Sequence, residues 1–318
     1  MIKFVLLGNV DSGKSTLAGR ILIDTNIIDE AEINKVQRDS EKNKKQSFWL
    51  AYLLDIDENE RERGITLGYI NFPFTFNSKK FDMYDVPGHK DLVQEMTMGA
   101  SNCNIGLIVL SARKGEYEAS IKGQTLEHIL IGRGMFTSLI VCINKMDCNE
   151  WNLDIYNEIK NDFTKKIKKF RFKNVEFCPI SAYTGDNVVI KYDKSPTCSL
   201  MDILSTIKIE QNVDKYFEIK NKTLIKTKFI FDNIDNLITS GYHAIAHSKD
   251  LYFQIVFRDI KNDKMNFVTN KNIIDENGIA KIIDVDIEFI DKPDRIHSTL
   301  IIRSHDRTIG LAKIYQVI

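Results

Sequence analysis

The sequence predicts an α/β domain, doubly wound about a mostly parallel sheet, followed by one small all-β barrel. Three observations carry that reading. Near-continuous apolar runs alternate with helical patterns over residues 1–207, as in sheets buried on both faces. A glycine-rich loop joins the first apolar run to the first helical segment. Beyond a polar stretch at 208–221, the chain turns to short β-type runs broken by Asn, Asp, Gly and Lys, the pattern of a barrel or sandwich over 222–318.

The elements follow in order. Strands are expected at 2–7, 68–76, 80–85, 105–110, 138–143 and 175–180. The runs IGLIVL (105–110) and LIVCI (139–143) have no polar position to turn toward solvent, so both faces should be covered. Helical periodicity falls at 14–23, 90–99, 122–132 and 153–170, with a last helix at 199–207 after Pro196. In the second region, β-type runs stand at 225–231, 251–257, 279–287, 299–302 and 309–318, with no helical pattern among them. No repeat or low-complexity tract interrupts this order.

Composition bounds the function. A chain of 318 residues suits about two domains at ~150 residues each. Lys plus Arg and Asp plus Glu both number 44, for zero net charge. That balance argues against wholesale binding of a nucleic-acid backbone, which leaves a basic excess. No apolar run reaches the ~18 residues of a membrane helix. The apolar start runs into Gly8 and Asp11 without a cleavage site, so it reads as a strand and not a signal peptide. Five cysteines, an odd number without a C-x-x-C pair, fit neither a disulfide framework nor a zinc ribbon. They place the chain in a reducing, cytoplasmic compartment.

Four short motifs carry the chemistry. Gly8-Asn9-Val10-Asp11-Ser12-Gly13-Lys14-Ser15 matches G-x-x-x-x-G-K-[ST], and Thr16 continues the helix it opens. Such a loop aims backbone N–H groups at an anion, and the helix adds its positive end. Lys14 is expected on the β- and γ-phosphates and Ser15 on Mg2+. Asp85-Val86-Pro87-Gly88-His89 ends the strand at 80–85. Asp85 can hold the Mg2+ shell through water, and the Gly88 N–H can meet the γ-phosphate. Asn144-Lys145-Met146-Asp147 follows the strand at 138–143. Its carboxylate can accept from the ring N–H and exocyclic amine of guanine, and adenine lacks that amine. Ser181-Ala182 closes the next strand and can offer a backbone N–H to guanine O6. Each motif lies at the C-terminal end of an expected strand, where open α/β sheets bind ligands. Together they point to GTP or GDP with Mg2+.

The segments GNVDSGKST (8–16), ERERGIT (60–66), DVPGHKD (85–91), GEYE (115–118), GQTLEH (123–128), NKMD (144–147) and SAYTGDN (181–187) resemble the translation-factor GTPases. These are elongation factor 1-alpha, elongation factor Tu and the eukaryotic release-factor and ribosome-rescue GTPases. The resemblance implies a P-loop GTPase domain with switch I at 61–66 and switch II opening at 85–91. It implies that Thr66 ligates Mg2+ and senses the γ-phosphate, and that His89 orients the attacking water behind an apolar gate of Val10 and Ile65. It places a monovalent cation near Asp11 and the Gly64 carbonyl. The second region resembles the family's third domain, through IKTKFIF (225–231), ITSGY (238–242) and DRTIGLAKI (306–314). No segment resembles the middle barrel that grips aminoacylated tRNA, which argues against tRNA delivery. Asn9 and Leu126 stand where the family has His and Arg.

The expected activity is GTP hydrolysis, catalysed by Lys14, Thr66 and His89. Turnover should be slow alone, since Arg61 and Arg63 are not matched to an arginine finger. The expected partners are the ribosome or a translation or termination protein, with the chain a monomer or part of a hetero-complex and no membrane involved. Two other readings stand beside this one: a GTP-binding interaction or structural protein with little turnover, and the GTPase subunit of sulfate activation. His243 and His247 share a strand face without a third metal ligand. The basic run at 160–173 could touch RNA phosphates or be a solvated helix face. Trp49 and Trp151 read as packing residues.

Overall fold

The computed structural model describes the chain apart from residues 43–48, 54–67, 90–91, 123, 137, 210–215, 220–222, 233, 235–236, 249–250, 263–264, 276–278, 292 and 305–306. The chain forms two compact units. One takes in Met1–His128, Phe136–Lys165 and Phe172–Glu210, the other Ile129–Met135, Lys166–Arg171 and Gln211–Ile318.

The first unit runs β1 (Ile2–Leu7), α1 (Lys14–Asp24), α2 (Glu30–Lys42), α3 (Trp49–Tyr52), β2 (Ile70–Phe76), β3 (Lys79–Asp85), α4 (Val93–Ala100), β4 (Ile105–Ser111) and α5 (Glu116–Lys122). It continues with the start of α6 (Thr125–Met135, of which Ile129–Met135 belongs to the second unit), β5 (Ser138–Asn144), a 3-10 turn at Met146–Asn149, α7 (Leu153–Ile167, whose last two residues belong to the second unit), β6 (Asn174–Pro179) and α8 (Leu200–Thr206). The six strands form one sheet in the order β2-β3-β1-β4-β5-β6. Every neighbouring pair is parallel except β2 with β3. Each residue of β4 and β5 is buried, as in the inner strands of a sheet covered on both faces. Pro73 lies in β2, an edge strand, where a missing N–H breaks no central ladder. Phe4, Phe74 and Phe81 pack together in the core beside Leu17 and Ile21 of α1.

Helices α2 and α5 were not among the expected elements. Helix α2 carries few apolar residues, so its apolar side is narrow, and Asp29 Oδ1 accepts from the Glu32 N–H at 2.8 Å and caps its start. Helix α8 begins the same way, with Ser199 Oγ accepting from the Asp202 N–H.

The second unit holds β7 (Tyr216–Glu218), β8 (Leu224–Phe231), β9 (Ile238–Thr239), β10 (His243–Ser248), β11 (Leu251–Lys261), β12 (Phe267–Val268), β13 (Ile283–Phe289), β14 (Arg295–His297), β15 (Thr299–Ser304) and β16 (Arg307–Val317). Six of them close a barrel in the order β10-β11-β13-β8-β16-β15. Burial alternates along β8 and β13, so one row of side chains fills the interior. Phe229, Phe231, Phe257 and Phe289 lead that core. Register shifts at Phe257/Asp259, Ile302/Arg303 and Ile314/Gln316 supply the bends that closure needs. Within the stretch read as linker, Tyr216–Glu218 pairs antiparallel with Arg295–His297. His243, Ile245 and His247 share the less buried face of β10.

Candidate functional site

The phosphate loop leaves β1 at Gly8 and enters α1 at Lys14. Gly13 precedes the helix with φ +95°, a left-handed conformation that glycine takes at little cost. A Cβ there would collide with Asn144 Nδ2. Asp11, exposed in the same loop, also has positive φ, at 62°. The first turn of α1 has no acidic residue, which leaves its positive end uncompensated.

Lys14 is buried, and its Nζ donates to the Gly8 carbonyl at 3.1 Å and the Asn9 carbonyl at 2.8 Å. Burial pulls its pKa down to about 8, and the charges of Asp85 and Asp11 oppose the fall. Gly88 packs over this ammonium: a Cβ on Gly88 would collide with Lys14 Nζ and lie 3.2 Å from the Val10 N–H nitrogen. The loop after β3 therefore closes directly on the phosphate loop. Asp85 ends β3 and is buried. His89, half-buried, follows Gly88, and its carbonyl accepts from the Leu92 N–H at 3.0 Å.

Asn144 ties the loops together. Its Nδ2 donates to the Ser12 carbonyl at 3.0 Å, and its Oδ1 accepts from the Ala182 N–H at 2.9 Å. Lys145, at φ +64°, donates from Nζ to the Asp11 carbonyl at 2.8 Å. The turn at Met146–Asn149 is fixed by the Met146 N–H on the Ile180 carbonyl at 3.2 Å. Asp147 Oδ1 lies buried there without a hydrogen-bond partner among the described residues. The two N–H groups expected to face a base oxygen are both engaged. Ser181 donates to the Asp186 carbonyl at 3.0 Å, and Ala182 to Asn144. A base oxygen would meet the Ala182 N–H only by sharing it with Asn144.

The structure thus gathers Asn9, Val10, Asp11, Ser12, Gly13, Lys14, Gly88, Asn144, Lys145, Ser181 and Ala182 around one loop cluster, with Ser15 and Thr16 in the first turn of α1. Thr66, Gly64, Ile65, Arg61 and Arg63 lie outside the described residues. Mg2+ binds through one or two protein oxygens plus water and phosphate. Buried Asp85, within electrostatic reach of Lys14, and the Ser15 hydroxyl are donors of that class. No group of three or more His, Cys, Asp or Glu side chains forms a metal cage among the described residues.

Three residues of the site were not singled out by their chemistry in the sequence. His128 is fully buried, and its Nδ1 accepts from the Gly8 N–H at 3.3 Å. Burial and the nearby Lys14 charge push its pKa down to about 3, so it is neutral. Arg20 of α1 donates to the Ala182 carbonyl at 3.3 Å and the Tyr183 carbonyl at 2.6 Å. Glu116 accepts from Lys145 Nζ at 2.6 Å. The segments GEYE and GQTLEH mark Glu116 and His128, but nothing local names their partners.

The family model of the elongation factor Tu GTP binding domain matches residues 1–239. Elongation factor 1-alpha of Staphylothermus marinus is 40% identical over 202 residues, which cover 61% of this chain and 46% of that protein. Elongation factor 1-alpha of Desulfurococcus mucosus is 39% identical over 218 residues, covering 65% and 50%. The chain spans about half the length of the curated relatives it matches. The fold is similar to that of the S. cerevisiae Ski7 GTPase-like domain crystallised with GDP and inorganic phosphate. The TM-score is 0.78 at 14% identity, covering 99% of this chain and 97% of that one.

Proposed function

The chain belongs to the elongation factor Tu GTP-binding family, and from that premise we propose that it is a switch that binds GTP and hydrolyses it to GDP and phosphate. The observation that carries this reading is the buried oxygen of Asp147, which has no hydrogen-bond partner among the described residues, on the turn that follows Asn144 and Lys145. Guanine supplies two donors for such a carboxylate, its ring N–H and its amine. At the other end, Lys14 and the loop N–H groups absorb charge that develops on the γ-phosphate and its leaving oxygen.

Water attacks the γ-phosphate in line, oriented by His89 behind Val10 and Ile65. The Gly88 N–H and Thr66 meet the γ-phosphate and are released with it, which relaxes both switch segments. Ser15 and Thr66 would hold Mg2+ directly and Asp85 through water, offsetting phosphate charge. A monovalent cation beside Asp11 would add to that offset. Ribosomes are the proposed activator and the cytosol the proposed setting, which the free state of all five cysteines supports. No helix among the described residues is long and apolar enough to cross a membrane. Delivery of aminoacyl-tRNA is no part of this proposal, because no segment reads as the family's middle barrel.

The test is a single-turnover GTPase assay with and without ribosomes on the wild type and His89→Ala. The wild type should be slow alone and accelerate with ribosomes. His89→Ala should bind GTP as the wild type does and lose at least ~100-fold of the stimulated rate. Equal stimulated rates in the two would remove His89 from its role. No ribosome effect on the wild type would favour the binding protein of little turnover.

A further inference from the structure

We propose that Glu116 is a positioning residue for the guanine pocket, acting through Lys145 to set how long a guanine nucleotide stays bound. The inference rests on the GTP-binding reading above and adds a residue to that site.

Glu116 is the first residue of α5, and its carboxylate joins three elements. Oε2 accepts from Lys145 Nζ at 2.6 Å and from Ser111 Oγ, at the end of β4, at 2.7 Å. Oε1 accepts from Arg113 Nη1 at 3.3 Å. Ser111 Oγ in turn accepts from the Arg113 N–H at 3.1 Å, so the hydroxyl is held at both ends. These donors keep the Glu116 carboxyl below the usual carboxylate range against the opposing effect of burial, the largest single influence on it.

Lys145 has three N–H donors and a flexible four-carbon stem. One donor reaches the Asp11 carbonyl across 134 residues, and a second is taken by Glu116. With both made, the stem is held between the phosphate loop and α5, on the residue two before Asp147. With Glu116 removed, the ammonium keeps a single anchor and the stem regains rotamers. A guanine base packed beside it would then lose a fixed wall. The pair is 22% and 32% exposed at its two side chains, and ion pairs of that exposure add little to fold stability. Folding and nucleotide residence should therefore separate.

The experiment measures dissociation of fluorescent mant-GDP by stopped flow from the wild type, Glu116→Gln, Glu116→Ala, Lys145→Ala and the Glu116→Ala/Lys145→Ala double variant, with melting curves of each. Glu116→Ala should release mant-GDP about tenfold faster, the scale of one charge-assisted hydrogen bond. Glu116→Gln, which keeps an acceptor, should fall between. In the Lys145→Ala background the same change should have an effect of less than ~2-fold, because the path through the ammonium is gone. Melting temperatures should stay within a few degrees. An unchanged rate in Glu116→Ala, or an equal factor in both backgrounds, overturns the role of Glu116 alone. A wild-type chain that takes up no mant-GDP overturns the GTP-binding reading and this inference together.

Discussion

At Asp147, one carboxylate oxygen is buried without a partner among the described residues, and the other receives only a weak Cys148 S–H contact at 3.6 Å. Replacing the carboxylate with an amide turns one acceptor into a donor. Asp147→Asn should weaken GTP at least ~100-fold and improve xanthosine triphosphate, whose ring carbonyl accepts where guanine donates. Competition binding with both nucleotides checks this, and unaltered GTP affinity would take Asp147 out of the pocket. Lys14 gives a pH test. Its pKa of about 8 rises when a phosphate pairs with it, so binding takes up a proton above pH 8. GDP affinity should be flat from pH 6.5 to 7.5 and fall about sevenfold between pH 7 and 8.8. Calorimetry in buffers of different ionisation enthalpy should register the proton. Affinity independent of pH across that window would mean that Lys14 is already charged or does not touch the phosphates. These two residues can be picked out by motif alone. The partners of Glu116, His128 and Arg20 cannot, because their bonds span 29, 120 and up to 163 positions of chain.

Among elements, legibility followed how strongly each segment's burial is written in its own residues. Strands β4 and β5 were expected at 105–110 and 138–143 and run Ile105–Ser111 and Ser138–Asn144, since an unbroken apolar run has few other fates. Helix α2 escaped notice because only Ala31, Ile33 and Val36 give it an apolar side. Strand β13 starts at Ile283, four positions after the start of the expected run at 279–287. Asp275, Ala280 and Lys281 are instead tied into a turn by bonds to Ile279, Ile274 and Ile273. Helix α1 offers a prediction at this scale. Its entry needs Gly13 at φ +95°. Gly13→Ala adds ~1–2 kcal/mol of left-handed strain and displaces Asn144, the strut shared by both halves of the site. Urea unfolding should show that modest loss, while GDP affinity should fall more than ~10-fold. Affinity at the wild-type level would show that the strut tolerates the displaced amide.

For the whole molecule, each of the two units carries its own buried core, and the proposed ligand touches the first. GDP with Mg2+ at ~100 times its dissociation constant should stabilise the native chain by about 2.7 kcal/mol. A thermal shift series against GDP and ADP reads that directly: GDP should raise the melting temperature and ADP should not. An equal shift with both nucleotides would contradict guanine selectivity. The barrel bears on partners in another way. Its six strands pair all the way round, so none of them stands as an open sheet edge. An incoming peptide therefore finds no vacant lane along that wall in which to lie as a seventh strand. Whatever recognises the barrel wall must read its outward side chains, and variation among those side chains is where its choice of partner can change without disturbing the fold.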